Sequence, residues 1–342
     1  MLKRFIPTAL IVLLLAVLAP VQGFADKKVY TIRMATVAPD GSPWHDSLQR
    51  IEKRWSEQSD GQLRLRSYLG GALGDENQTI AETRRGQIQM VGASIGAVGS
   101  LVPEVNVLEL PFLFRNEAEA DYILDEVIGD ELRDIFAERG FVLLMWSENG
   151  YRHFGTKFGH IRKPSDLRGR QMRAQENTIH LNTYRALGAT PVPIPTTEAI
   201  PALQTGVVQG FDQTPLFGFA TGLHNQATHW TVSDHIYQPG AILINKSFFD
   251  GLPEELQQIM LADADEEARK SRAGVRALTP LLVQNLEASG LDVHRLTDEE
   301  RKAFVEAVQP VHEEFAEKAS PRARALYEKI TAGLEEYRAN NP

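Results

Sequence analysis

The 342-residue chain contains no cysteine. That absence excludes a disulfide framework, a thiolate zinc site, an iron–sulfur cluster and a cysteine nucleophile. No segment beyond the first 25 residues offers eighteen uninterrupted apolar residues, so none reads as a membrane-spanning helix. Positive charge is in deficit: 36 Lys and Arg face 45 Asp and Glu, a formal net charge of −9. Nucleic acid is therefore not an expected partner, because neutralising phosphates needs clustered cations. No Gly-rich loop ending in Lys-Ser/Thr and no Gly-x-Gly-x-x-Gly after a strand occurs, so ATP and dinucleotide chemistry lack a motif. What is present is a globular composition, 43% apolar and 24% charged, long enough for about two lobes, since single cores stop growing near ~250–300 residues.

The N-terminus reads as an export signal. Lys3 and Arg4 precede an eleven-residue apolar run, Ala9 to Ala19, and Gly23-Phe24-Ala25 supplies small residues at the cleavage spacing before Asp26-Lys27-Lys28. Eleven residues cover about half of a ~30 Å hydrocarbon core, which favours a cleaved signal peptide, Met1 to Ala25, over a permanent anchor. The expected location is the periplasm.

The remainder alternates strand and helix signals. Val29 to Ala35 reads as a strand. Ser42-Pro43 then starts a helix whose Trp44, Leu48, Ile51 and Trp55 share one face. Leu63 and Leu65 alternate with arginines, Asp75 caps a helix ending near Gly86, and Ile88 to Ala93 returns as a strand. A helix is expected from about Glu117 to Arg139. Phe141 to Trp146 follows as a short apolar run suited to a central parallel strand. The pattern recurs with a strand at Gln171 to Ala174, helices at Thr178 to Leu187 and Thr197 to Gln204, and a strand at Val207 to Phe211. The last third is helical: Pro253 to about Ser289 with a kink at Pro280, then a capping box at Thr297 to Glu300. Repeated strand–helix–strand units predict an α/β fold with parallel sheets. Chain crossings near Asn149-Gly150 and Gln238-Pro239-Gly240 predict two interleaved lobes: 26–149 plus about 239–278, and 150–238 plus about 279–342.

Three groups of residues carry candidate chemistry. Gly92-Ala93-Ser94-Ile95-Gly96 matches the Gly-x-Ser-x-Gly nucleophile elbow after a strand, but Gly99, Ser100 and Pro103 interrupt the helix the motif requires. An exported serine hydrolase using Ser94 is thus one reading; a Gly-rich turn is the other. His224, His229 and His235 are spaced by five and six, which puts no two imidazoles on one helical face, so no metal or cofactor is expected. Arg152 follows the strand Phe141 to Trp146 and a turn at Glu148-Asn149-Gly150, and Arg173 sits inside or at the end of the strand that begins at Gln171. At a strand end a planar, permanently charged guanidinium can clamp a carboxylate through two parallel hydrogen bonds. Placement alone leaves open that either pairs structurally with an acidic neighbour such as Glu176.

Several segments then carry a resemblance: Leu73-Gly74-Asp75-Glu76, Leu110-Pro111-Phe112-Leu113-Phe114, Tyr151-Arg152-His153-Phe154, and Asp166-Leu167-Arg168-Gly169 running into Gln171-Met172-Arg173. Ala186-Leu187-Gly188-Ala189-Thr190-Pro191 and Ala202-Leu203-Gln204-Thr205-Gly206-Val207-Val208 follow. In this order they resemble the DctP-type solute-binding subunit of tripartite ATP-independent periplasmic (TRAP) transporters, over nearly the whole mature chain. The resemblance implies a two-lobed periplasmic binding protein fold with hinge strands and a long spanning helix, closing over one small organic acid and delivering it to membrane permease subunits. It does not imply an enzyme. Arg173 falls on the family's carboxylate-clamping arginine, Arg152 on a second cleft arginine, and Gln213 where the family usually has Asn. Gln175, Asp212 and Ser94 complete the candidate ligand-binding set. Ala93-Ser94 stands where some sialic-acid binders carry Glu, which speaks against sialic acid. A periplasmic sensor on the same fold is the remaining alternative. Phe154, Phe211, Phe217 and Trp146 are candidates for an apolar pocket lining, and monomer and homodimer are both compatible with the sequence.

Overall fold

The computed structural model describes residues 27–341. The expected signal peptide, Met1 to Ala25, lies outside them. Among the described residues no helix is long and apolar enough to cross a membrane.

Nine strands form one mixed sheet: β1 (Tyr30–Thr36), β2 (Leu63–Tyr68), β3 (Met90–Ser94), β4 (Phe141–Thr156), β5 (Gln171–Ala174), β6 (Thr190–Pro193), β7 (Gly210–Gln213), β8 (His229–Asn245) and β9 (Asp292–Arg295). The order is β2-β1-β3-β8-β4-β7-β5-β6, with β9 on the far edge of the first part of β8. Pairings of β1 with β2 and β3, of β5 with β6 and β7, and of β8 with β9 are parallel. Those of β8 with β3 and β4, and of β4 with β7, are antiparallel. This is a two-lobed α/β arrangement. β1 to β3 meet the late part of β8 in one half, and β5 to β7 meet the late part of β4 in the other. β4 and β8 run through both, with register shifts at Leu143/Met145, Glu148/Gly150 and Arg152/Phe154.

Trp44, Leu48, Ile51 and Trp55 are all buried on the helix Pro43–Gln58, which Ser42 caps by accepting from the His45 N–H. Leu48, Ile51 and Trp55 pack on Ile32, Met34 and Leu65 in the first half, while Trp44 packs with Phe217 and Val275. The second half buries Phe211, Trp230, Val283 and Leu286 together. The helix Ala264–Ala288 spans the two. Near its start Glu267 accepts from Ser47 and Arg50 on the first-half helix, and near its end Val283 and Leu286 enter the second core.

The structure departs from the sequence reading at five points. Phe141 to Trp146 is the opening of a 16-residue strand that is antiparallel to both neighbours. It continues through Ser147-Glu148-Asn149 because those polar groups find buried partners, Glu148 accepting from Tyr237 and Arg276. The expected helix 117–139 breaks at Ile128, between a π-helical stretch, Tyr122–Val127, and the helix Gly129–Glu138. The 253–289 helix breaks at Ala262-Asp263, where Asp263 takes a left-handed φ of 59°. Val207 to Val208 is loop, and the strand runs Gly210–Gln213. The helix Asp298–Lys318 packs on Thr178–Ala186, joined by Asn182 and Glu314. The last helix, Pro321–Asn340, which the reading grouped with it, instead lies against 103–127. There Tyr337 meets Tyr122 and Arg338 pairs with Glu119.

Candidate functional site

The two halves enclose a cleft where β4 and β8 cross. It holds about 690 Å³, part of it continuous with solvent, and its walls include Trp44, Glu76, Ser94, Asn149, Arg152, Gln175, Thr196, Gln213, Phe217 and Gln238. A smaller recess of about 230 Å³ shares Glu76, Gln175 and Thr196 with it and is bordered by Arg173. Trp44 and Phe217 approach from opposite halves with ring centroids 6.3 Å apart.

The two arginines are both 1% exposed and electrostatically opposite. Arg152, on β4, is neutralised in place. Its Nε donates to Asp212 Oδ2 at 2.5 Å, its Nη2 to the Asp212 carbonyl at 2.6 Å and its Nη1 to Gln238 Oε1 at 2.8 Å. Burial works against its charge, but Asp212 more than offsets this and raises its pKa. Asp212 in turn sits well below the usual carboxylate range: burial pushes it up, and Arg152 and His235 push it down further. The Tyr184 hydroxyl donates to Asp212 Oδ1 at 2.9 Å. This is a satisfied buried pair.

Arg173, on β5, has no carboxylate within ion-pair distance among the described residues. Its Nε donates to the Ile194 carbonyl at 2.9 Å and its Nη2 to Thr196 Oγ1 at 3.0 Å. Burial first, and the like charge of Arg152 second, pull its pKa down from 12.5 to about 10. Glu176 accepts from Asn77 Nδ2, so the structural pairing left open for Arg173 is not formed.

Glu76, the first residue of the helix Glu76–Arg84 that Asp75 caps, lines both the cleft and the recess that Arg173 borders. Its carboxylate accepts from the Ser94 N–H at 2.7 Å and the Ser94 hydroxyl at 3.1 Å, while burial raises its pKa. Gln175 bridges the halves, donating from Nε2 to Ser94 Oγ at 2.7 Å and accepting from Gln238 at 2.9 Å. Gln213 Oε1 accepts from Thr214 N–H and, at 3.4 Å, from Arg152.

All six predicted site residues therefore gather at this cleft or directly behind it. Ser94, Arg152, Gln175 and Gln213 line it, Arg173 borders the adjoining recess, and Asp212 supports Arg152 from below. Among the described residues no imidazole is hydrogen-bonded to Ser94, so the histidine-mediated base that a serine nucleophile needs is not assembled there. Gly96 of the elbow-like motif is explained by packing: a Cβ there would lie 2.6 Å from Glu109 Oε2. Of the four aromatics, Phe217 lines the cleft, while Trp146, Phe154 and Phe211 are core. The sequence reading missed Glu76, Asn149, Thr196 and Gln238. Glu76 was visible as part of a helix start and of the resembling segment Leu73 to Glu76, with no role assigned to it, and Gln238 only as a point where the chain crosses.

Residues 34–319 match the family described as bacterial extracellular solute-binding protein, family 7. The chain belongs to that family. A solute-binding protein of Verminephrobacter eiseniae is 32% identical over 286 residues, covering 83% of this chain and 84% of the relative. Among solved structures, this family-7 chain resembles a TRAP periplasmic solute-binding protein from Roseobacter denitrificans with bound β-D-glucuronate, at TM-score 0.84 and 29% identity, covering 89% of this chain and 99% of that one. It also resembles the sugar acid binding protein DctPAm from Advenella mimigardefordensis in complex with galactonate, at TM-score 0.85 and 28% identity, covering 90% and 100%. The fold is thus that of a family of extracellular solute-binding proteins.

Proposed function

We propose that this family-7 protein captures a hydroxylated monocarboxylate of the sugar-acid class in the periplasm and hands it to the membrane permease subunits of a TRAP transporter. The observation that carries this reading is the contrast between the arginines: Arg152 has its counter-ion, and Arg173 is buried without one. A buried cation lacking a partner is costly, and a ligand carboxylate supplies the missing charge in a low-dielectric site where the attraction is strong. In this reading the guanidinium end of Arg173 meets the carboxylate, displacing Thr196, with Arg152 and Gln213 completing that pole.

Glu76 adds a negative group from the first half, on the recess it shares with Arg173. A carboxylate there accepts hydrogen bonds from hydroxyl groups and repels a second carboxylate. Asn149, Ser94 and Gln175 add neutral donors and acceptors nearby, and Trp44 with Phe217 offers apolar faces for the carbon skeleton. That division favours glucuronate- and galactonate-like ligands, those held by the similar solved structures, over C4-dicarboxylates. Lobe boundaries near 149 and 239, with β4 and β8 as hinges, go with this reading, as does cleavage after Ala25.

Calorimetry on the mature protein with D-glucuronate, D-galactonate and succinate tests the proposal. One or both sugar acids are expected to bind with micromolar or tighter Kd, and succinate at least tenfold more weakly. Equal or tighter binding of succinate overturns the sugar-acid reading, and no binding of any of the three overturns the arginine pole with it.

A further inference from the structure

We propose that His160, His229 and Asp292 form a binding site for one divalent transition-metal ion of the zinc class, at the outer corner of the sheet and separate from the solute cleft. The three come from distant parts of the chain. His160 lies in the turn after β4, His229 opens β8 and Asp292 opens β9. Sheet register brings them together: Thr156 pairs with His229 across β4 and β8, and His229 pairs with Asp292 across β8 and β9. This is why the spacing of histidines along the sequence gave no sign of a site.

One donor atom from each residue lies within 4.8 Å of the other two. His160 Nε2 stands 3.1 Å from Asp292 Oδ1. In a tetrahedral zinc centre with bonds of ~2.0–2.2 Å, neighbouring donors are ~3.4 Å apart. The His160–Asp292 pair already has nearly that separation, and a small rotation of His229 brings in the third donor. Thr228 Oγ1 holds Nδ1 of His229 at 2.8 Å, leaving its other nitrogen without a protein partner among the described residues. Such an outer hydrogen bond orients a ligating imidazole.

Two further observations favour an ion over a simple surface ion pair. His160 is only 11% exposed, and its Nε2 is held against Asp292 instead of being turned out to solvent. The rings are also crowded: His160 and His229 meet edge to face at 4.9 Å, and His294 packs against His160 at 5.5 Å while Glu300 fixes its Nε2 at 2.7 Å. The donor set, two imidazoles and one carboxylate, suits Zn²⁺, Ni²⁺ or Cu²⁺ and does not suit Ca²⁺ or Mg²⁺, which take oxygen ligands. Asp292 is 68% exposed, so the fourth position faces water. An ion here ties the turn after β4, the start of β8 and the edge strand β9 to one another, and so stabilises the folded chain.

The test uses the untagged mature protein, stripped with a chelator and titrated with ZnCl₂ without organic acid. One equivalent is expected to bind with a Kd in the micromolar range, and excess Zn²⁺ is expected to raise the melting temperature by a few degrees. His229→Gln and Asp292→Asn should each weaken Zn²⁺ binding at least tenfold while keeping the metal-free melting temperature and circular dichroism of the parent. Absence of saturable binding in the parent overturns the proposal. So does undiminished binding in the double variant, which would place the ion elsewhere, or Ca²⁺ binding as strongly as Zn²⁺.

Discussion

Replacing Arg173 with methionine separates the residue's role in holding a ligand from its effect on the empty protein. The pKa of Arg173 is pulled from 12.5 to about 10, mainly by burial. At 1.36 kcal/mol per pH unit, that corresponds to a penalty of roughly 3 kcal/mol for keeping the charge in the fold. Because the folded-state value lies below the unfolded one, the penalty is fully present at pH 7. Methionine removes it and forfeits two hydrogen bonds, to the Ile194 carbonyl and Thr196, each contributing about 1 kcal/mol. The unliganded Arg173→Met protein should therefore be more stable by about 1 kcal/mol, a rise in melting temperature of about 2 °C. Ligand binding should move the other way. Losing a buried charge partner costs ~3–5 kcal/mol, a roughly hundredfold to few-thousandfold weaker Kd for the sugar acid by calorimetry. Parental affinity for D-glucuronate, or an unliganded melting temperature several degrees lower, refutes the idea that this cation is kept uncompensated for a ligand.

Glu76→Gln removes the charge from the first-half wall of the site. A charged acceptor is worth about 1 kcal/mol more per hydrogen bond than a neutral one, so D-glucuronate affinity should fall about fivefold while succinate affinity rises; unchanged discrimination between the two in calorimetry refutes the role given to Glu76. His153 supplies a pH dependence. Burial lowers its pKa from 6.5 to about 4, so the folded imidazole stays neutral while the unfolded one protonates, and stability declines as pH falls from about 6.5 to about 4, by up to ~3 kcal/mol. Denaturant unfolding across that range should show a shallower decline in His153→Gln, and an identical slope in the two proteins counts against this assignment.

The helices and outer strands could be read from the sequence because local physics decides them. Ser42, Asp75 and Thr297 cap where cap residues stand before apolar periodicity. Trp44, Leu48, Ile51 and Trp55 bury one face because 3.6-residue spacing leaves them no other. β4 resisted the same logic. From Ser147 onward it carries Glu148, Asn149, Arg152 and His153, a polarity that reads as loop until tertiary partners from β7, β8 and the long helix are known. The cleft divides in the same way. Arg152 and Arg173 stood out through placement, and the family resemblance strengthened them. That one is paired and the other is not depends on Asp212 and Ile194, and no spacing rule connects those positions. Glu76 was hidden by its own helix, since an acid in a first turn is expected there whether or not it faces a ligand.

β4 and β8 are borrowed property: each contributes pairing edges to both halves of the molecule. Neither half can be cut out as a self-sufficient piece: a fragment holding only 150–238 would keep β5 to β7 and the stretches of β4 and β8 beside them, but lose β9 and the Val283 and Leu286 side chains of its core. The same sharing confines the relative movement of the halves to flexing and twisting of a two-stranded ribbon, so a sliding displacement would have to break the ribbon's own hydrogen bonds. The two cores stand apart on either side of the cleft, yet the same pair of strands runs through both.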